Sequence, residues 1–163
     1  MKILSMKTTI FLGAMLSLLV CLMFTGCSNS ETNSTSRGLT DFAHIEEEYL
    51  ATIDSLNWPD GITLPDKLED EDTGASFQVG YGETRASYLW EYSWMKEWLD
   101  TYNTDPERAE KALEELEKAF DMPYMGIDRC DDATRNYLHE NIDKAKLGDP
   151  SGFTESIRAN YAN

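Results

Sequence analysis

The stretch Glu83-Thr84-Arg85-Ala86-Ser87-Tyr88-Leu89-Trp90-Glu91-Tyr92-Ser93-Trp94-Met95-Lys96-Glu97-Trp98-Leu99-Asp100-Thr101-Tyr102 decides the fold. Trp90, Trp94 and Trp98 recur every four residues and so stack along one line of an α-helix. Tyr88, Tyr92, Met95, Leu99 and Tyr102 form a second line beside the first. Together the two lines cover about half the helix circumference and are interrupted only by Glu91. A helix with so wide an apolar arc is expected at the centre of a core, wrapped by its neighbours. The functional reading of the same arc is a groove that offers flat aromatic faces to a sugar, a peptide or a partner helix, with Trp90, Trp94 and Trp98 as candidate ligand-binding residues. Glu91 lies angularly near Trp98 and is expected where the buried arc meets solvent. Trp94 is then expected to be the most buried of the three and Trp90 the most exposed.

Working outward toward the C-terminus, Asn103-Thr104-Asp105-Pro106 supplies a capping aspartate and a proline for the first position of the next helix. That helix runs to about Asp121, with Ala109, Ala112, Leu113, Leu116 and Phe120 as its buried stripe. Glu107/Lys111 and Glu114/Lys118 are expected i,i+4 pairs on its solvated side. After Met122-Pro123-Tyr124-Met125-Gly126, a fourth helix starts at Asp131 or Asp132, uses Ala133, Tyr137, Leu138, Ile142 and Ala145, and closes at Gly148. Asp149-Pro150 repeats the cap-and-proline start, and Phe153, Ile157 and Tyr161 define a short last helix.

Toward the N-terminus, Phe77, Val79 and Tyr81 alternate. A short strand near 76–81 and an extended loop fit this segment equally well, since Gly80 and Gly82 interrupt it. Ile62 to Gly74 reads as a long irregular acidic connection, and Trp58-Pro59-Asp60-Gly61 as a turn. A first helix capped by Thr40 or Asp41 carries Phe42, Ile45, Tyr49, Ile53 and Leu56 on one face and stops before Pro59. The expected fold is therefore all-α, with about five helices in one domain over 39–163.

Lys2 and Lys7 precede an apolar run from Ile10 to Phe24, which is broken only by Gly13 and Ser17. A bilayer span wants about 20 apolar residues, whereas a secretory core has about 7–15 and ends at small residues. The run falls in the shorter class. Phe24-Thr25-Gly26-Cys27 follows it and resembles the lipobox of bacterial lipoproteins, in which a diacylglyceryl group joins the cysteine sulfur before cleavage. Gly26 takes the small position, Cys27 the lipidated one, and Phe24 stands where leucine is most often found.

The resemblance implies a signal peptide at 1–26, lipidation at Cys27, and attachment to the outer face of the cell membrane. An uncleaved anchor helix from about Lys7 to Cys27 is the alternative, and it too leaves the domain outside the cytoplasm. Two acyl chains, at roughly 0.8 kcal/mol per buried CH₂, suffice for stable anchoring where one does not. Ser28 to Gly38 has the Ser/Asn/Thr composition of a flexible tether, with an r.m.s. reach of roughly 17–20 Å.

With Cys21 in the signal peptide and Cys27 occupied by lipid, Cys130 alone remains, and the core must hold without a disulfide. A structural thiol is the simpler reading of Cys130. The chain carries a formal charge of −16, and removal of residues 1–26 takes away two lysines and no acids, so that 12 basic against 30 acidic side chains give −18. No cationic footprint for nucleic acid exists, and anionic lipid would repel the domain, so its membrane contact is expected through the acyl chains alone.

Phe77-Gln78-Val79-Gly80-Tyr81-Gly82, with Trp90, Trp94, Trp98-Leu99 and the earlier Trp58-Pro59-Asp60-Gly61, resembles segments of small uncharacterised envelope proteins of Gram-positive actinobacteria, which lend no activity.

Catalytic motifs fail on spacing. Glu69-Asp70-Glu71-Asp72 before Gly74 invites calcium, but an EF-hand loop with Gly74 sixth would need ligands at Thr73 and Gly80. His139-Glu140-Asn141-Ile142-Asp143 lacks the second histidine of H-E-x-x-H, and the chain has only two histidines. Ser93-Trp94-Met95-Lys96 fits S-x-x-K without its companion elements. No cofactor is expected. The leading expectation is a non-catalytic lipoprotein that binds an envelope protein or a small ligand. Its rival is a hydrolase using Asp/Glu pairs that no motif reveals. A pocket gathering two carboxylates, or His139 with an acid, would favour the hydrolase, and a closed core with a flat exposed apolar patch would favour the binder.

Overall fold

The structure is a computed structural model and describes residues 38–69 and 71–161. Its first helix, α1 (Phe42–Ser55), is capped by Asp41, whose carboxylate accepts from the backbone N–H of His44 at 3.1 Å. Ile45, Tyr49 and Ile53 are its buried face, at the spacing of four that keeps them in line. The helix ends where Leu56 turns extended. Trp58 then donates its indole N–H back to the carbonyl of Ile53 at 2.9 Å, and Gly61, at φ +82°, completes the turn.

Residues 77–78 form a strand, and its neighbour is the two-residue segment just before α1. Strand β1 (Leu39–Thr40) pairs antiparallel with β2 (Phe77–Gln78), with Leu39 opposite Gln78 and Thr40 opposite Phe77. The strand cannot extend further, because Gly80 at φ +88° turns the chain into α2 (Tyr81–Thr101).

No side chain of α2 caps its own first turn. Glu48, on α1, does so instead: its two carboxylate oxygens accept from the backbone N–H groups of Gly80 at 2.7 Å and Gly82 at 3.2 Å. A carboxylate at a helix N-terminus satisfies orphan donors and complements the dipole. The two helices meet so closely here that a Cβ on Gly82 would lie 1.8 Å from the carbonyl oxygen of Ile45.

Helix α3 (Pro106–Glu117) starts as expected, with Asp105 accepting from the N–H of Arg108 at 3.2 Å and Pro106 in the first position. Its last turn, Lys118–Asp121, tightens to a 3₁₀ helix, and a second 3₁₀ turn follows at Pro123–Met125. The tightening changes the expected ion pairs. A 3₁₀ turn aligns residues three apart, so Lys118 pairs with Glu115 at 2.7 Å, while Lys111 lies 5.8 Å from the ring centre of Trp94. Helix α4 (Asp132–Lys146) is capped by Asp131 on the N–H of Thr134 at 2.7 Å and closes at Gly148, φ +79°. Helix α5 (Ser151–Asn160) begins one residue later than its proline suggests. Pro150 takes the capping position, and Asp149 accepts from Ser151 N–H at 2.9 Å.

The described residues fold around α2, which packs against α1, α3, α5 and the Pro123–Met125 turn. Ile45, Tyr49, Ile53, Leu68 and Ala86 form one apolar cluster beside α1. The larger cluster holds the three tryptophans with Met95, Leu116, Leu138, Ile142 and Phe153.

Trp90, Trp94 and Trp98 are 1%, 1% and 2% exposed, so Trp90 is not the exposed edge of the arc. The segment after α1 crosses it, and the carbonyl of Asn57 accepts both indole N–H groups, from Trp90 at 2.8 Å and Trp94 at 3.1 Å. Glu91, at 7% exposure, is likewise not at the solvent boundary, because Tyr124 of the second 3₁₀ turn covers it.

Candidate functional site: a tyrosine-lined cavity over Glu91

Three helices leave a cavity of about 290 Å³ between them. Tyr88 and Glu91 reach it from α2, three residues apart on one face. Thr134, Tyr137 and Leu138 do so from α4, again at spacings of three and four, and Ser156 and Asn160 from α5, with Tyr161 just beyond it. Met125 completes the lining. The aromatic rings brace one another. Tyr88 meets Tyr124 edge-on at 5.6 Å between ring centres, and Tyr161 packs on Tyr92 at 4.9 Å.

Tyr124 donates its hydroxyl to Oε2 of Glu91 at 2.8 Å. Burial pushes the Glu91 carboxyl up to about 7, outweighing the lowering that this hydrogen bond provides. The phenols of Tyr88, Tyr124 and Tyr161 are pushed upward by burial and then by the neighbouring Glu91 charge. Burial also raises the thiol of Cys130, outweighing the lowering by the nearby Arg135 charge and the Thr134 hydroxyl, and its Sγ lies 3.6 Å from Met125 Sδ. The cavity thus presents one buried carboxyl raised to about 7 beside the phenols of Tyr88, Tyr124 and Tyr161, which burial raises further. Among the described residues it gathers no second carboxylate.

The residues singled out from the sequence lie elsewhere. Trp90 and Trp94 give their N–H groups to Asn57 and their rings to the core. Trp98 stacks on Tyr102, meets Phe153 edge-on, and borders a different groove of about 440 Å³ with Ala109, Leu113 and Ala145. Cys27 lies outside the described residues.

His139 is exposed and 3.9 Å from Asp143, with its ring against Phe120. Ser93 donates to the carbonyl of Leu89 at 2.7 Å while Lys96 pairs with Asp100, so the S-x-x-K pair is not assembled. Of the acidic connection, Glu69 pairs with Lys67, Glu71 folds back onto Arg85 and the Tyr81 hydroxyl, and Asp70 is outside the described residues. Among the described residues no three His, Cys, Asp or Glu side chains cluster as metal ligands, and no helix is long and apolar enough to cross a membrane.

The signal for the site that the sequence did carry was the interruption itself: Glu91 is the one acid within the aromatic arc. Which side chains would close over it was not legible there, because Tyr124, Tyr137 and Tyr161 come from three later segments. No family model matches this chain, and no curated protein or solved structure is similar to it.

Proposed function

We propose that this chain is a lipoprotein held on the extracytoplasmic face of the cell membrane through Cys27, and that its helical domain binds a small ligand in the cavity over Glu91. The anchor is read from Lys2, Lys7, the apolar run and the Phe24-Thr25-Gly26-Cys27 motif. The observation that supports the binding reading is a buried carboxyl, tied by one phenol and opening on a cavity near the lower end of the size usual for small-molecule sites, roughly 300 Å³. A hydrolase acting by an acid and a base would call for a second carboxylate or a histidine beside Glu91, and the cavity lining supplies phenols and the hydroxyls of Thr134 and Ser156 instead.

Thr134→Trp tests this reading, since Thr134 is exposed at the cavity lining and a bulky ring there would fill the space without disturbing the core. The purified domain is equilibrated with the small-molecule fraction of cell envelopes and analysed by native mass spectrometry. A compound retained by the wild type and lost from Thr134→Trp is the expected result. Retention of nothing, or equal retention by both, would overturn it.

A further inference from the structure

Glu91 and Glu115 are the two buried carboxylates among the described residues, and they are treated differently. Glu115 pairs with Lys118 at 2.7 Å. Of the half-buried glutamates, Glu71 pairs with Arg85, Glu83 with Arg129 and Glu97 with Arg108, Glu48 has His44 and two backbone N–H groups, and Glu46 accepts the backbone N–H of Leu68 at 3.3 Å. Among the described residues no cation pairs with Glu91. Its hydrogen bond is to the Tyr124 hydroxyl, through Oε2. Among the described residues no donor reaches Oε1 of Glu91, and this oxygen is not wholly buried, since the wholly buried side-chain polar atom without a partner is Asn141 Nδ2; Glu91 itself lines the cavity. A carboxylate buried without a counterion is costly, and proteins ordinarily pair such a group.

We infer that the missing partner is the ligand, and that the cavity is a site for a small organic cation, an alkylammonium headgroup seated against Glu91 Oε1 with the rings of Tyr88, Tyr137 and Tyr161 around it. The inference rests on the small-ligand reading above and names its chemistry. Phenol faces attract ammonium groups through the ring quadrupole, most strongly where water is excluded. The net charge of −16 draws cations to the surface. Cation binding needs Glu91 ionised, so it releases a proton when the pH lies near or below the value of about 7 to which burial raises this carboxyl.

The other groups about Glu91 are the phenols of Tyr88, Tyr124, Tyr137 and Tyr161 and the Cys130 thiol, while Arg135 of α4 is tied to Asp132. Of these, Tyr88, Tyr124, Tyr161 and Cys130 are all shifted away from neutrality.

The probes are choline and its uncharged counterpart of the same shape, 3,3-dimethylbutan-1-ol, titrated by calorimetry and by the NMR signals of the cavity tyrosines. Choline is expected to bind more tightly than the alcohol, to bind more tightly as pH rises through about 7, and to lose about tenfold or more in Glu91→Gln. Far-ultraviolet circular dichroism of that variant checks that it is folded. Equal binding of the alcohol, or choline binding unchanged in folded Glu91→Gln, would overturn the cationic ligand and leave the cavity reading standing. If neither probe moves the tyrosine signals, the cationic ligand fails. The cavity reading falls separately, on the Thr134→Trp comparison.

Discussion

Glu91 shows how one residue can mean opposite things in a helical wheel and in a folded chain. On the wheel an acid within an apolar arc marks the way to solvent; in the structure it is 7% exposed beneath Tyr124. Its carboxyl is raised from 4.5 to about 7, so between those values the unfolded chain gives up a proton that the folded chain keeps. Stability attributable to Glu91 is therefore full below about 4.5 and falls as pH rises to 7 and beyond, by roughly 3 kcal/mol in all. Glu91→Gln keeps an acceptor for Tyr124 and removes the titration. Urea midpoints across a pH series should show the variant gaining on the wild type as pH rises from about 4.5 through 7 and the difference levelling off above that. A difference that does not change with pH would mean the carboxyl is not shifted. The three tryptophans make a second residue-scale case. All are buried, so each change to Ala should lose roughly 3–5 kcal/mol in chemical denaturation. Were Trp98 to keep its midpoint, its place on the floor of the second groove would outweigh its place in the core.

At the scale of elements, what the sequence made legible was local. Asp41, Asp105 and Asp131 each cap the N–H three residues on, a contact set within one turn and so readable from spacing alone. The start of α2 was not readable in this way, because its cap, Glu48, comes from 32 and 34 residues earlier in the chain. The strand at 77–78 had no visible neighbour for the same reason, since two residues of β1 carry too little pattern to announce a pairing. Gly82 sits where these non-local contacts converge. Its missing side chain lets α1 and α2 touch, and the atom a Cβ would strike is backbone, which cannot swing aside. Gly82→Ala should force the helices apart, breaking the Glu48 cap and the packing of Ile45 and Tyr49, at a cost of several kcal/mol despite alanine's better helix propensity, roughly 1 kcal/mol. Thermal unfolding checks it; a stabilised variant would show that the crossing is looser than the structure has it.

For the whole molecule, anchorage and fold are separate statements. Cys27→Ser should leave the precursor unprocessed by the lipoprotein signal peptidase and unlabelled by radioactive palmitate in growing cells, while the isolated domain 39–163 keeps its helical circular dichroism. Normal labelling of the variant would remove the lipid anchor from the proposal. The sequence by itself determined the helical class, the five helices of the described residues and the caps of α1, α3 and α4, because 3.6-residue periodicity and capping act over a few neighbouring residues. It also carries the contiguous Phe24-Thr25-Gly26-Cys27 stretch on which the proposed anchor rests. The tertiary structure alone decided that Trp90 is core, since the Asn57 carbonyl that satisfies its indole comes from the segment that follows α1. It alone decided that Glu91 is the floor of a cavity, because Tyr124, Tyr137 and Tyr161 meet over it only once three later segments have packed. A periodic pattern says which side of a helix is covered, and only the packed chain says by what.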